Sequence, residues 1–162
     1  MSSMIRVIAA LDDKRGLADE QGIPWDLPSD RAYTREKTMG GSLLMGYRTY
    51  LEFTAPLPGR RCLVLTDGTE PLRDGFEAVT DLEAFMKNPP QKLWLFGGAG
   101  AFAQTLQYAD ELYLTRVEGD FGCTKFFPEF TDKFELAQKS PPQLENGITY
   151  WYEIWKRKSR QE

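Results

Sequence analysis

The alternation of short apolar runs with helical stretches constrains this chain more than any other feature. Met4–Leu11 (MIRVIAAL), Ser42–Met45, Arg60–Thr66, Phe76–Val79, Lys92–Phe96 and Leu112–Val117 are short, mostly apolar and closed by turn residues. Runs of that length and make-up read as buried strands. Between them the spacing predicts helices over Pro28 to about Met39, Tyr47–Phe53, Asp81 to Lys87 (with Asp81 as the cap) and Ala101–Leu106. Consecutive strands joined through a helix pair in parallel. The chain then changes character. Phe134–Lys139 and Ile148–Trp155 follow with no helix between them, the second alternating at Ile148, Tyr150, Tyr152 and Ile154. Those two predict an antiparallel edge on the sheet. No repeat or low-complexity segment interrupts 1–162, which reads as a single α/β domain with short flexible ends at 1–3 and 157–162.

The totals narrow the function. With 162 residues and 41% apolar side chains the chain can bury a proper core. A net charge of −4 leaves no nucleic-acid footprint. The lack of any histidine excludes Ser-His and Cys-His catalysis and histidine-ligated metal. Cys62 and Cys123 stand far apart without paired spacing, which suits a reducing compartment rather than a disulfide framework or metal site. The opening MSSMIRVIAALDD has too short an apolar run for a signal peptide, and no run of about 18 apolar residues occurs for a membrane span. The expectation is a cytoplasmic monomer with no nucleic-acid or membrane partner.

Candidate chemistry gathers at strand ends. In Gly22-Ile23-Pro24-Trp25-Asp26-Leu27-Pro28-Ser29-Asp30, Pro28 suits the first position of a helix, which puts Asp30 in the first turn. Asp30 is then either an ordinary helix-start acid or a partly buried acid awaiting a cationic or amidine-like ligand. Met45-Gly46-Tyr47-Arg48-Thr49 and Phe96-Gly97-Gly98-Ala99-Gly100-Ala101-Phe102 each join a strand end to a helix start through glycine. Either could be a packing turn; two in one α/β chain point to a phosphate-bearing ligand beyond the carboxyl ends of the strands. Arg60, after Pro56-Leu57-Pro58-Gly59, is either a solvated arginine or a carboxylate clamp. Thr115 lies on a buried strand, where its hydroxyl needs a partner, and Asp30 could be that partner. The run Phe126-Phe127-Pro128 reads as core or strand-end packing.

Taken in order, these pieces resemble the dihydrofolate reductase family over Met4 to Lys156. The carriers are Ile8-Ala9-Ala10, the Ile23–Asp30 stretch, Leu44-Met45-Gly46-Tyr47-Arg48-Thr49-Tyr50, Pro56–Arg60, Phe96-Gly97-Gly98-Ala99, Leu112-Tyr113-Leu114-Thr115 and Phe127-Pro128. The resemblance implies a mixed, mainly parallel eight-stranded sheet flanked by four helices, and NADPH-dependent reduction of 7,8-dihydrofolate. It implies Asp30 as the single active-site carboxylate, helped by Thr115 and Trp25, with opposing effects of burial and helix start on its pKa. Ile8, Ala9, Arg31, Thr34, Phe53, Leu57 and Phe96 would line the folate pocket, and Arg60 would clamp the glutamate tail. Ala10, Leu17, Ala18, Ile23, Gly46, Arg48, Thr49, Leu65, Thr66 and Asp67 would hold the cofactor together with Gly97, Gly98, Ala99, Gly100, Ala101 and Phe102. A cis Gly97–Gly98 peptide and a mobile Asp12–Ile23 lid belong to the same resemblance.

The chain also departs from that pattern. Thr34 stands where the family usually has a large apolar residue, and Arg31 shares its face, so the pocket should be more polar than usual. Tyr47 replaces a common basic residue. Asp67 sits where a 2′-phosphate would be met, which weakens the expected preference for NADPH and opens the site to NADH. Ala18 replaces a usual lid glycine, and Gly122-Cys123-Thr124-Lys125 differs from the usual Gly-Asp-Thr. Two other readings stand beside reduction of dihydrofolate: a same-fold reductase of another pterin or a ribosylamino-pyrimidine, for which Arg60 would be superfluous, and a binding protein without turnover.

Overall fold

The computed structural model describes residues 4–159. In chain order it contains β1 (Ile5–Leu11), β2 (Gly16–Ala18), α1 (Pro28–Thr38), β3 (Ser42–Gly46), α2 (Tyr47–Tyr50), β4 (Arg61–Leu65), β5 (Phe76–Val79), α3 (Leu82–Lys87), β6 (Leu93–Gly97) and α4 (Ala99–Thr105). A 3₁₀ turn at Leu106–Tyr108 follows, then β7 (Glu111–Val117), β8 (Lys125–Phe126), β9 (Phe134–Lys139), β10 (Gln143–Glu145) and β11 (Ile148–Arg157). The main sheet runs β10-β11-β7-β1-β6-β3-β4-β5, and β9 also pairs with β11. Because β10 takes Ile148–Tyr150 and β9 takes Glu153–Arg157, the two share one side of β11, and the sheet is eight strands wide. The pairs among β1, β3, β4, β5, β6 and β7 are parallel, and all pairs of β11 are antiparallel.

The near-continuous apolar strands are explained by burial on both faces. Successive residues alternate between two clusters: Leu44, Leu63 and Leu95 pack on one face, while Leu43, Met45, Cys62, Val64 and Trp94 pack on the other. Asp81 caps α3 as expected, its side chain accepting from Ala84 N.

Several expectations need correction. The Tyr47–Phe53 helix ends at Tyr50, and α4 begins at Ala99, two residues earlier than its apolar run suggested. Strands β2, β8 and β10 lie inside stretches read as loops; each is too short to show a period. The apolar Ala32 of α1 and Met39 just beyond it are exposed, and the buried residue of that helix is Thr38. Phe127 is core but Phe126 is exposed. The carboxyl-terminal expectation also shifts. Arg157 closes β11 and donates to Ala109 O and Leu106 O at 2.7 and 2.9 Å, while 1–3 and 160–162 lie outside the described residues.

Candidate active site

The sheet positions the site. The carboxyl ends of β1, β3, β4 and β6 open onto one cavity of about 1510 Å³, with α1 along one side and the starts of α2 and α4 on the other. Single-ligand pockets run to about 1,000 Å³, so this one has room for two ligands side by side. Among the described residues no helix is long and apolar enough to cross a membrane.

The inner half is built around Asp30. Leu27 ends the extended entry, Pro28 starts α1, and Asp30 falls in the first turn. Its Oδ1 accepts from Thr115 Oγ1 at 2.6 Å, and Thr115 is only 2% exposed, so the bond is made across the sheet from β7. Burial pushes the Asp30 carboxyl above its ordinary value. The Thr115 hydroxyl and Arg31 pull it back, Glu145 adds an upward push, and burial prevails. Oδ2 accepts no hydrogen bond from the described residues, and Asp30 lines the cavity. Tyr33 of α1 stacks on Tyr152 of β11, ring centroids 4.0 Å apart, and burial raises the Tyr33 pKa to about 12.

Beyond Asp30 the wall becomes mixed. Ile8 and Ala9 from β1, Phe53, Leu57 and Phe96 supply apolar surface, and Arg31, Thr34 and Arg60 supply polar surface. Arg60 donates from Nη1 to Thr38 Oγ1 at 3.3 Å and from Nε to Pro58 O at 3.1 Å. Thr38 in turn donates to Thr34 O at 2.7 Å, so the polar character of α1 forms a chain of contacts toward Arg60. Arg31 pairs with the exposed Asp26 at 2.6 Å. Arg35, not singled out in the sequence, also lines this end and forms no ion pair among the described residues.

The outer half gathers every expected nucleotide residue: Ala10, Leu17, Ala18, Ile23, Gly46, Arg48, Thr49, Leu65, Thr66, Asp67 and the whole Gly97–Phe102 turn. The Gly97–Gly98 peptide is cis. A Cβ on Gly46 would stand 3.1 Å from that of Ala101, and one on Gly98 would stand 3.4 Å from Thr49 Oγ1, so the two glycine junctions pack against each other. A Cβ on Gly100 would meet nothing within 4 Å, leaving its backbone open to the cavity. Asp67 is held by its own turn, accepting from Thr69 N at 2.9 Å and Thr69 Oγ1 at 2.7 Å, and those bonds lower its pKa.

The loop over this half is tied at its start and its middle. Asp12 is 1% exposed and accepts from the amides of Lys14, Gly16 and Phe121 at 2.9, 2.8 and 3.1 Å. Burial pushes its carboxyl up, but the three amides prevail and its pKa lies below the ordinary value. β2 pairs with β8, and Thr124 N donates to Ala18 O at 2.9 Å. Cys123 fills the space beside Gly16, where any Cβ would come within 2.5 Å of its own.

Trp25 is not brought into the cavity. It is buried with Leu27, Val117 and Tyr150, its ring edge-on to Phe121 at 5.3 Å. Thr115 lies behind Asp30 rather than on the wall. The sequence reading missed Arg35, Gln104 and Lys125 on the wall. It also missed Ser29, Tyr33, Glu145 and Tyr152 behind it. Only Asn146-Gly147, a hairpin signal next to Glu145, could have pointed to any of them.

A cleft that can take a dinucleotide across glycine-opened helix starts, and a second flat ligand above one half-buried acid, fits the class of pyridine-nucleotide reductases built on an α/β sheet. Comparison with known proteins narrows that class. The family model described as dihydrofolate reductase matches residues 4–157, so the chain belongs to the dihydrofolate reductase family. The dihydrofolate reductase of Bacillus subtilis (strain 168) is 29% identical over 161 residues, covering 96% of each chain. That of Staphylococcus aureus (strain Mu50 / ATCC 700699) is 30% identical over 146 residues, covering 90% of this chain and 91% of that one. Among solved structures, a dihydrofolate reductase from Enterococcus faecalis complexed with NADP(H) and RAB-propyl superposes with a TM-score of 0.87 at 26% identity, covering 96% of this chain and 97% of that chain.

Proposed function

We propose that the protein reduces 7,8-dihydrofolate to 5,6,7,8-tetrahydrofolate with NADPH, as a cytoplasmic monomer in one-carbon metabolism. The observation that carries this reading is the Asp30–Thr115 pair: a half-buried acid, its pKa raised, at the inner end of a cavity with room for two ligands. The cavity residues fit the cofactor, since Gly100 leaves its backbone bare at the start of α4, where a long, flat, charged molecule must lie close, and the tight packing of Gly46 against Ala101 and of Gly98 against Thr49 holds the two junctions together beneath it. NADPH supplies a hydride to pterin C6, and N5 gains a proton from solvent.

Asp30 does the orienting. Thr115 donates to Oδ1, which fixes the carboxylate plane and leaves Oδ2 to accept from the pterin 2-amino and N3 groups. A carboxylate whose pKa burial raises is a stronger acceptor for those two donors, and through them it biases the protonation and tautomer of the ring. Ile8, Ala9, Phe53, Leu57 and Phe96 exclude water around the ring system. Arg60 favours folate over a tail-less pterin: its guanidinium reaches the far end of the same cavity, with Arg35 beside it, where a glutamate α-carboxylate would lie. Arg48 and Thr49 at the start of α2, with Gly97–Phe102 at the start of α4, take the phosphate-bearing half, and Trp25 supports the entry to α1 from the apolar cluster behind it. The test is the decline of NADPH absorbance on adding dihydrofolate, with Asp30→Asn as the control: turnover in the parent protein and its loss in the variant are the expected results.

A further inference from the structure

The amino-terminal end of α1 is closed from outside by another part of the chain. Leu27 at the cap position offers no side-chain hydrogen bond, and Pro28 has no amide hydrogen. The amides of Asp30 and Arg31 bond to Leu27 O at 3.0 and 3.1 Å, which leaves the amide of Ser29. Glu145 takes it. Its Oε1 accepts from Ser29 N at 3.0 Å and its Oε2 from Ser29 Oγ at 2.7 Å, although the two residues are 116 apart in sequence. Beside it, Asn146 Nδ2 donates to Asp26 O at 3.1 Å.

Glu145 is held firmly for this task. It ends β10 opposite Ile148, and Asn146 and Gly147 between them have φ of +53° and +77°, the left-handed pair that a two-residue hairpin turn requires. The following strand, β11, places Tyr152 opposite Thr115 and stacks it on Tyr33. One hairpin therefore grips α1 at the residue before Asp30 and again three residues after it, and it pairs with the strand that carries the Asp30 partner.

We propose that Glu145, which does not line the cavity, is a positioning residue for Asp30: its carboxylate closes the open end of α1 and sets the electrostatic field in which Asp30 works. Glu145 sits where the helix dipole favours an anion. The groups facing Asp30 are Thr115 from β7, Tyr152 from β11, Arg31 and Tyr33 from its own helix, and Glu145 from β10. Glu145 is the second carboxylate in that set, and like charge opposes ionisation of Asp30.

This inference rests on the reading of Asp30 as the working acid, so its primary test uses no substrate. The full-length protein, carrying ¹³C-labelled aspartate carboxyls, is titrated by NMR as parent, Glu145→Gln and Glu145→Ala. The Gln variant keeps an oxygen acceptor for Ser29 and removes only the charge. In it the Asp30 midpoint moves to lower pH, and the pH profile of kcat/KM for dihydrofolate moves the same way while KM for NADPH is unchanged. In Glu145→Ala the Ser29 amide also exchanges faster with solvent. An Asp30 midpoint that stays in place in Glu145→Gln, or one that moves without the kinetic profile following, overturns the proposal. If Glu145→Ala fails to fold, the Gln variant decides. Absence of turnover in the parent protein would instead defeat the functional reading and leave the Asp30 titration to stand or fall alone.

Discussion

Thr115→Val removes one oxygen from behind Asp30 and little else. Thr115 is 2% exposed and its hydroxyl stands 2.6 Å from Asp30 Oδ1, so valine keeps the shape while the carboxylate loses its one buried donor. A hydrogen bond to a charged acceptor is worth about 1.5–3 kcal/mol, and about 1.4 kcal/mol is a factor of ten. The expected loss in kcat/KM for dihydrofolate is therefore roughly 10- to 100-fold. The sign of the pH effect is also fixed. Thr115 lowers the Asp30 pKa against the burial that raises it, so its removal moves the midpoint up and the kinetic profile toward higher pH. The assay is initial-rate NADPH oxidation across pH, with thermal melting to show that the fold survives. A well-folded variant with kcat/KM within twofold of the parent and an unshifted profile would refute the assignment of Thr115.

Three other outcomes follow from the same geometry. Arg60→Ala raises KM for dihydrofolate roughly tenfold, the low end of a charged hydrogen-bond loss at a partly exposed site, and leaves a dihydropterin without the glutamate tail unaffected; steady-state kinetics on both substrates checks this. Asp67→Ser lowers KM for NADPH but not for NADH, and the gain shrinks at high ionic strength because the site is exposed; a strong NADPH preference in the parent that persists unchanged in the variant would sink this reading. Asp12→Ala costs about 3 kcal/mol in urea unfolding at neutral pH, because three backbone amides lose one buried acceptor. Its folded pKa lies below the ordinary 3.8, so its contribution is full above that pH and lost as pH falls through the lower folded value. The stability gap between parent and variant should close there.

What the sequence made legible was what is local. Pro28 and Asp30 share one turn, Gly97–Gly98 is an adjacent pair, and Arg60 follows its turn directly, so each announced its place. The parallel order of the sheet was legible because strands buried on both faces are continuously apolar. The rest depended on pairing across long separations. Glu145 meets Ser29 over 116 residues, and β2 meets β8 over more than a hundred, with too few residues in either strand to show a period. The pKa direction of Asp30 was likewise beyond local reading, since it turns on how deeply β7 and β11 bury the start of α1. Trp25 shows the opposite error. Its motif placed it beside the acid in sequence, but alternation along the extended entry turns it into the apolar cluster on the other side.

The central claim is that one half-buried carboxylate at the inner end of the cavity, Asp30, makes this protein a dihydrofolate reductase. The most direct measurement is the rate of NADPH oxidation with dihydrofolate in the parent protein and in Asp30→Asn, alongside the affinity of each for NADPH. The account predicts steady turnover in the parent, its loss in the variant, and cofactor binding unchanged, since Asp30 lies in the half of the cavity away from the glycine junctions. Equal rates in the two proteins, or no turnover in a parent that binds both ligands, would contradict it.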